Sequence, residues 1–358
     1  ITIIGSEVGG AYAVYLNTLT IVAGGTNLNV TGTVVTNADT GIYQSGNITD
    51  NAAGSNISFI TNGKINQIGA ISLVANTAST AVSVTYNTTS GTRDSSVVSG
   101  ALTIAAGTGA VTFTGAVGGS AVLGATAITA STTTNSSTWV GNSTLGITGN
   151  AVVNGAISGI TTLSVSGTSS IAANITSSSN QAYTGAFTIT GSAVTLTSGT
   201  AGTVAFSSTV NSAANVGNTA SAANPLTVSA GSGNVTFTGV VGGATNGALG
   251  ALTVNTTGTT TFSAAVTAAS VTTDASGTTA INGGTITTTG AQTYNDAVTL
   301  GAATTLTSSS SGAINLASTV NGAQTLAINT AGVTTFGGAV GASTNLTRSE
   351  ERRVGKSV

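Results

Sequence analysis

An all-β fold, a parallel β-helix (β-solenoid) whose coils take roughly 18 to 20 residues, is what this sequence predicts. Three observations carry the prediction: a short internal repeat, alternation of large apolar with small polar residues inside each repeat, and near absence of the charged residues that favour helices.

The repeat comes first. LTIAAGTGAVTFTGAVGG at 102–119 recurs as LTVSAGSGNVTFTGVVGG at 226–243, with shorter relatives LTVNTTGTTTFSAAV at 252–266 and LAINTAGVTTFGGAV at 326–340. Its skeleton is a Leu, a large residue about ten positions on, and an aliphatic residue four later. Five of the seven Phe residues (Phe113, Phe206, Phe237, Phe262, Phe336) stand four positions before a Val: Val117, Val210, Val241, Val266 and Val340. The same spacing joins Tyr294 to Val298, Leu316 to Val320, Val153 to Ile157 and Ile171 to Ile175, so units without Phe belong to the same series. Leu306, Leu326 and Leu346 are spaced by twenty residues, and Leu145 and Leu163 by eighteen. That spacing sets the expected coil length and predicts that each of these leucines lies over the next.

Within a unit, Leu326 and Ile328 and then Thr334 and Phe336 alternate with small residues, a strand pattern rich in Val, Ile and Thr. Gly, Asn and Ser interrupt it every five to eight residues, where a turn of positive φ is cheapest for Gly and Asn. A unit so short cannot bury its own apolar face, so it must stack on its neighbours at about 4.8 Å per coil. Roughly 18 coils would then form a rod on the order of 90 Å long. The single proline, Pro225, precedes Leu226 at a unit boundary, where a missing donor costs least. Two other folds compete. A disordered Ser/Thr/Gly linker is opposed by the regular large residues and a mean hydropathy of +0.39. Tandem immunoglobulin-like domains repeat at about 100 residues, and the echo of QAYTGAF (181–187) in QTYNDAV (292–298) keeps that alternative open.

Charged residues are 4% of the chain and the net charge is -2. Nucleic acid and anionic lipid, which require clustered Lys and Arg, are not expected partners. Before Arg348 the only basic residues are Lys64 and Arg93. No run of about 18 apolar residues exists, so no membrane span is expected. Cysteine is absent, which removes disulfides and thiolate metal sites. Methionine is absent too, from which the chain is expected to be an internal fragment whose signal and anchor lie outside it. The repeat region is expected to span 1–346. The remaining 347–358 form a charged, non-repeating tail containing RSEERRVGKSV, which resembles ends of unrelated reading frames assembled from environmental DNA and is expected to be artefactual or disordered.

From about residue 40 to 346, units such as GIYQSGNITDNAAG, LTVNTTGTTTF and TTTGAQTYNDAVTLGAATTLTSS resemble the repeat regions of filamentous haemagglutinin-like exoproteins and autotransporter passengers. The resemblance implies a right-handed parallel β-helix, exported across the outer membrane of a Gram-negative bacterium and displayed as an adhesin. It further implies an extracellular or cell-surface location, a glycan or protein on a host or neighbouring cell as partner, and an outer-membrane secretion partner encoded outside this sequence. The function expected is therefore a structural and adhesive stalk without catalysis.

The residues offer little chemistry against that reading. Histidine is absent, which removes the commonest general base and metal ligand. No catalytic, cofactor-binding or metal-binding residues are expected, and no cofactor. Asp274 and Asp296, 22 residues apart, are about one coil apart and give the only carboxylate pair worth testing, for a glycan-cleaving β-helix enzyme. The Gly-Gly pairs at 118–119, 242–243 and 283–284 lack the Asp that a calcium-binding nonapeptide needs, so calcium is not expected. Gly107-Thr-Gly109 and Gly231-Ser-Gly233 lack a following helix and read as turns. Trp139 and Tyr183 are expected in the core more than on a sugar-stacking surface. The Asn-x-Ser/Thr triplets at Asn47, Asn56 and Asn174 are expected from composition alone. An ice-binding solenoid is the other alternative, prompted by Thr arrays at 259–261 and 287–289; it requires Thr-x-Thr at one fixed place in successive coils.

Overall fold

The computed structural model describes residues 101–118, 123–213, 223–245 and 247–352, together with short strands within the first hundred residues. The described residues contain strands and turns and no helix, and every strand pairing is parallel, which gives a β-solenoid of about 12 turns. The chain divides into two compact units, Ile1–Ser169 with Ile175–Ser177, and Ser170–Asn174 with Ser178–Val358.

In the first unit the coil length changes along the chain. Thr2 pairs with Asn29, Leu28 with Ile57 and Ser83 with Asn56, so the early coils take 27 to 29 residues. Farther on, Leu145 pairs with Leu163, and Trp139 with Ile157, at the expected spacing of eighteen. Trp139 and Phe113 meet edge to face at 5.1 Å, both inside the core. The first coils are longer than the repeat count predicts, and so are several in the second unit, where Val194 pairs with Leu226 across 32 residues. Longer coils account for about 12 turns instead of 18.

The second unit is a stack of three-sided coils. One side runs through Val194–Thr197, Leu226–Ser229, the second half of Val266–Thr273, Gln292–Tyr294 and Ile314–Leu316. The second runs through Gln181–Tyr183, Val204–Phe206, Val235–Phe237, Thr259–Phe262, Thr278–Ile281 and Ala297–Leu300. The third includes Val210, Val241 and Val266, followed by Thr285–Thr288, Thr304–Ser308 and Thr325–Asn329. Alternation explains the interior: in Val235–Phe237 the two outer residues of three are buried and Thr236 is half-exposed. Parallel registration then places like above like. Tyr183, Phe206, Phe237, Phe262, Ile281 and Leu300 form one continuous column. Within it, Phe237 stacks on Phe206 at 4.9 Å and on Phe262 at 5.3 Å, with rings tilted by 10° and 18°.

The four-residue aromatic-to-aliphatic spacing is a corner, and the structure uses it at two different corners. Phe206–Val210, Phe237–Val241 and Phe262–Val266 carry the chain from the second side to the third. Tyr294–Val298, Leu316–Val320 and Phe336–Val340 carry it from the first to the second. Tyr294 accordingly lies in register with Thr273 and Leu316, not in the column of Phe262. The echo between QAYTGAF and QTYNDAV therefore marks two copies of a corner on different sides, and not a domain-sized repeat.

The leucine series is corrected in the same way. Leu306 pairs with Ile328 and Thr304 with Leu326, because this coil takes 22 residues; Leu326 pairs with Ser349, and Leu346 lies in no strand. Of the charged tail, Arg348–Arg352 pair as a strand with Thr325–Asn329, and residues 353–358 lie outside the described ones.

The turns also differ from expectation. Among the described residues, positive φ falls on glycines and on Ser311, never on Asn. Asn instead clamps successive coils: the Asn150, Asn174, Asn180 and Asn234 Oδ1 atoms accept the backbone N–H groups of Thr168, Thr195, Thr203 and Thr259 at 2.8–2.9 Å. An amide side chain at a corner thus supplies an acceptor where the ladder is interrupted. Buried hydroxyls close corners from inside. Thr288 and Thr330 donate to the carbonyls of Gly290 and Gly312, each at 2.7 Å, and Ser308 donates to Gly290 O at 2.9 Å.

Candidate functional site

Outward positions build columns of small polar side chains. On the first side Thr195, Thr227, Thr253, Thr272, Thr293, Asn315 and Thr335 follow one another in unbroken parallel register. On the third side Thr267, Thr287 and Thr307 do the same. These columns arise because each strand turns alternate residues outward, and Thr combines β-branching with a hydroxyl that water can hydrate.

The Thr-x-Thr requirement of the ice-binding alternative is not kept. Thr285 and Thr287 stand in register with Thr305 and Thr307, but the next coil offers Ala327 and Asn329. The second residue of each array prompting that reading, Thr260 and Thr288, points inward and is buried. Thr259 and Thr278 instead share a hydroxyl contact at 3.0 Å between coils.

The glycosidase-type pair is not assembled at the surface either. Asp296 is 2% exposed; its Oδ1 accepts the Thr273 hydroxyl at 2.8 Å, and the Thr279 hydroxyl lies 2.9 Å from both carboxylate oxygens. Asp274 sits half-buried with its Oδ1 accepting Thr256 N–H at 3.0 Å. Burial raises the Asp296 carboxyl above its ordinary range, the threonine hydroxyls pull it partly back, and the charge of Asp274 adds to the rise. The spacing of Asp274 and Asp296 did not announce this burial; the missing signal was that Thr273 and Thr279, one coil earlier, face inward.

Trp139 and Tyr183 are 2% and 1% exposed, so neither offers a stacking platform to a sugar. The Tyr183 hydroxyl donates to Gln181 Oε1 at 2.9 Å, while Gln181 Nε2 donates to Thr197 O on the next side at 2.8 Å. Gln292 and Tyr294 repeat the arrangement, with Gln292 Nε2 reaching Thr307 O at 2.9 Å. These are cross-braces inside the core. Burial holds both tyrosine hydroxyls protonated far above the ordinary phenol range. Gly109 N–H donates to Ala106 O and Gly233 N–H to Ala230 O, each at 2.8 Å, so both GxG pairs are tight turns. The Asn174 amide is engaged by Thr195; Asn47 lies outside the described residues. Among the described residues no three His, Cys, Asp or Glu side chains converge, and no helix is long and apolar enough to cross a membrane.

One concave feature stands out on the third side of the second unit: a groove of about 420 Å³ beside Thr267, Thr287 and Thr289, bounded by the segment that starts at Gly242. No motif in the sequence announced it. No protein-family model, no curated protein and no solved structure matches the chain.

Proposed function

We propose that the chain is a structural and adhesive stalk segment of an exported bacterial surface protein, acting without catalysis. The observation that carries the reading is the union of a continuous parallel ladder with an exterior of hydroxyls and amides. The interior columns supply rigidity, while Thr195 through Thr293 and the Asn clamps present a nearly uncharged, hydrated surface. Such a surface suits many weak contacts repeated along a filament, where avidity multiplies modest affinities. The resemblance to haemagglutinin-like and autotransporter repeats supports export to the cell surface and engagement of a glycan or protein on another cell.

The test is retention. Beads coated with the purified chain should be held by epithelial cells or by a bacterial lawn under flow more strongly than beads coated with albumin. Retention equal to the albumin control overturns the adhesive part of the proposal.

A further inference from the structure

We propose that the groove on the third side of the second unit binds a short stretch of a neutral glycan chain; this rests on the adhesive reading and names the ligand class for one site within it.

The groove exists because one coil is longer than those after it. Between Val241 on the third side and Leu252 on the first lie ten residues, against four between Val266 and Val271. Within that surplus, Gly242 to Thr245 form a wall at the start of the groove, with Gly243, Ala244 and Thr245 exposed. That wall is built, not loose. Gly247 N–H donates to Ala244 O at 2.8 Å, Ser212 N–H donates to Gly247 O at 2.9 Å, and Ala244 N–H is held by Asn211 Oδ1 at 3.1 Å. Gly242 is required where the wall begins: its φ is +70°, and a Cβ there would lie 2.0 Å from Thr267 O of the next coil. Gly118, the counterpart in the longest sequence repeat, has φ +71° and the same 2.0 Å approach to Val140 O. The first glycine of that pair thus encodes a turn tucked under the next coil, a role the sequence pattern alone did not assign.

The floor supplies hydroxyls at the spacing of successive coils. Thr267 and Thr287 are paired in register, and Thr289 and Ser309, whose hydroxyls donate to Ala269 O at 3.4 Å and Thr288 O at 3.3 Å, line the groove beside them. The exposed Ala244 of the wall adds methyl surface. No charged side chain lines the groove, and between Asp94 and Arg348 the only charged residues in the chain are Asp274 and Asp296. A sulfate, sialate or uronate would find no cation here, and a cationic ligand no carboxylate. A neutral polyol matches: each of its hydroxyls can donate to or accept from a threonine, and its C–H faces can rest on alanine. The volume falls within the range of about 300–1,000 Å³ typical of ligand sites. Because the wall is preorganised, binding orders little additional chain.

The experiment displays the purified chain at high density on beads. It measures capture of immobilised neutral hexose and N-acetylhexosamine oligosaccharides against sialylated, sulfated and uronate-containing ones. Capture of neutral members is expected. Thr287→Val, which keeps the β-branched shape but removes a groove hydroxyl, should weaken capture about fivefold. Ala244→Trp, which fills the groove from its exposed wall, should abolish it, and Thr236→Val on the second side should leave it unchanged. Circular dichroism of each variant confirms that it folds as the parent does. The inference is overturned if only acidic glycans are captured, if none is, or if Thr287→Val and Ala244→Trp capture as well as the parent. If those two variants still hold beads on cells while the parent captures no glycan, the groove proposal falls and the adhesive reading stands; loss of cell retention by the parent chain removes the adhesive reading itself.

Discussion

Phe237 and Phe336 occupy the same place in the same sequence motif, yet replacing each with Ala should have very different consequences. Phe237 is fully buried, with Phe206 stacked on one side at 4.9 Å and Phe262 on the other at 5.3 Å. Truncating a buried Phe costs about 3–5 kcal/mol through lost transfer energy and the cavity left behind. The two ring contacts place Phe237 toward the upper end, since each adds about 0.5–1.5 kcal/mol beyond area burial. Phe336 lies over Leu316 and is 42% exposed. With neighbours on one side and partial hydration, its truncation should cost roughly 1–2 kcal/mol. The difference, about 2 kcal/mol or more, is read from urea unfolding of Phe237→Ala and Phe336→Ala monitored by far-ultraviolet circular dichroism. Because a solenoid can lose cooperativity, the slope m must be compared with the midpoint. Phe206→Ala combined with Phe237→Ala should be non-additive, since the two rings share one contact. Equal destabilisation by Phe237→Ala and Phe336→Ala, or additivity within about 0.3 kcal/mol in the double variant, would refute the stacked column.

Three more outcomes follow from named contacts. Gly233→Ala should destabilise by about 2 kcal/mol or more, because its Cβ would stand 2.1 Å from Gly202 O; Gly146→Ala meets nothing nearer than 3.5 Å and should change stability little, so equal thermal shifts would contradict the close approach. Tyr294→Phe should cost about 1–3 kcal/mol by leaving the buried Gln292 Oε1 without its donor, which a denaturation midpoint unchanged from the parent's would disprove. For Asp296, burial raises the folded carboxyl above its unfolded value of about 3.9. The folded chain therefore keeps a proton that the unfolded chain has released, so stability falls as pH rises from about 4 through the folded pKa and is level above it. Asp296→Asn cannot ionise and should lack that fall; melting temperatures of parent and variant that run parallel from pH 4 to 8 would exclude it.

Local features were legible in the sequence because they are set over a few residues. Alternation gave strands and the spacing from Phe to Val gave the repeat; that this spacing spans a corner, a short link between two inward side chains, is seen only in the structure. The placing of Trp139 and Tyr183 in the core followed from the large apolar area of their rings. The roles of Asn and of the GG pair were misread or missed because each depends on the coil above it. Asn150 serves Thr168, and Gly242 yields to Thr267 O, partners with no fixed distance along the chain.

The same distinction separates what the residues determined alone from what only the assembled coils decided. The residues determined a parallel ladder, its alternation and its lack of charge. Which side of the coil a corner serves, which leucine lies over which residue, and where a groove opens were decided by tertiary structure. The physical reason is accumulation: every insertion in a coil shifts all later registers, so Leu306 meets Ile328 instead of Leu326. The segment from Gly242 to Thr245 becomes a wall only because the coils that follow are shorter.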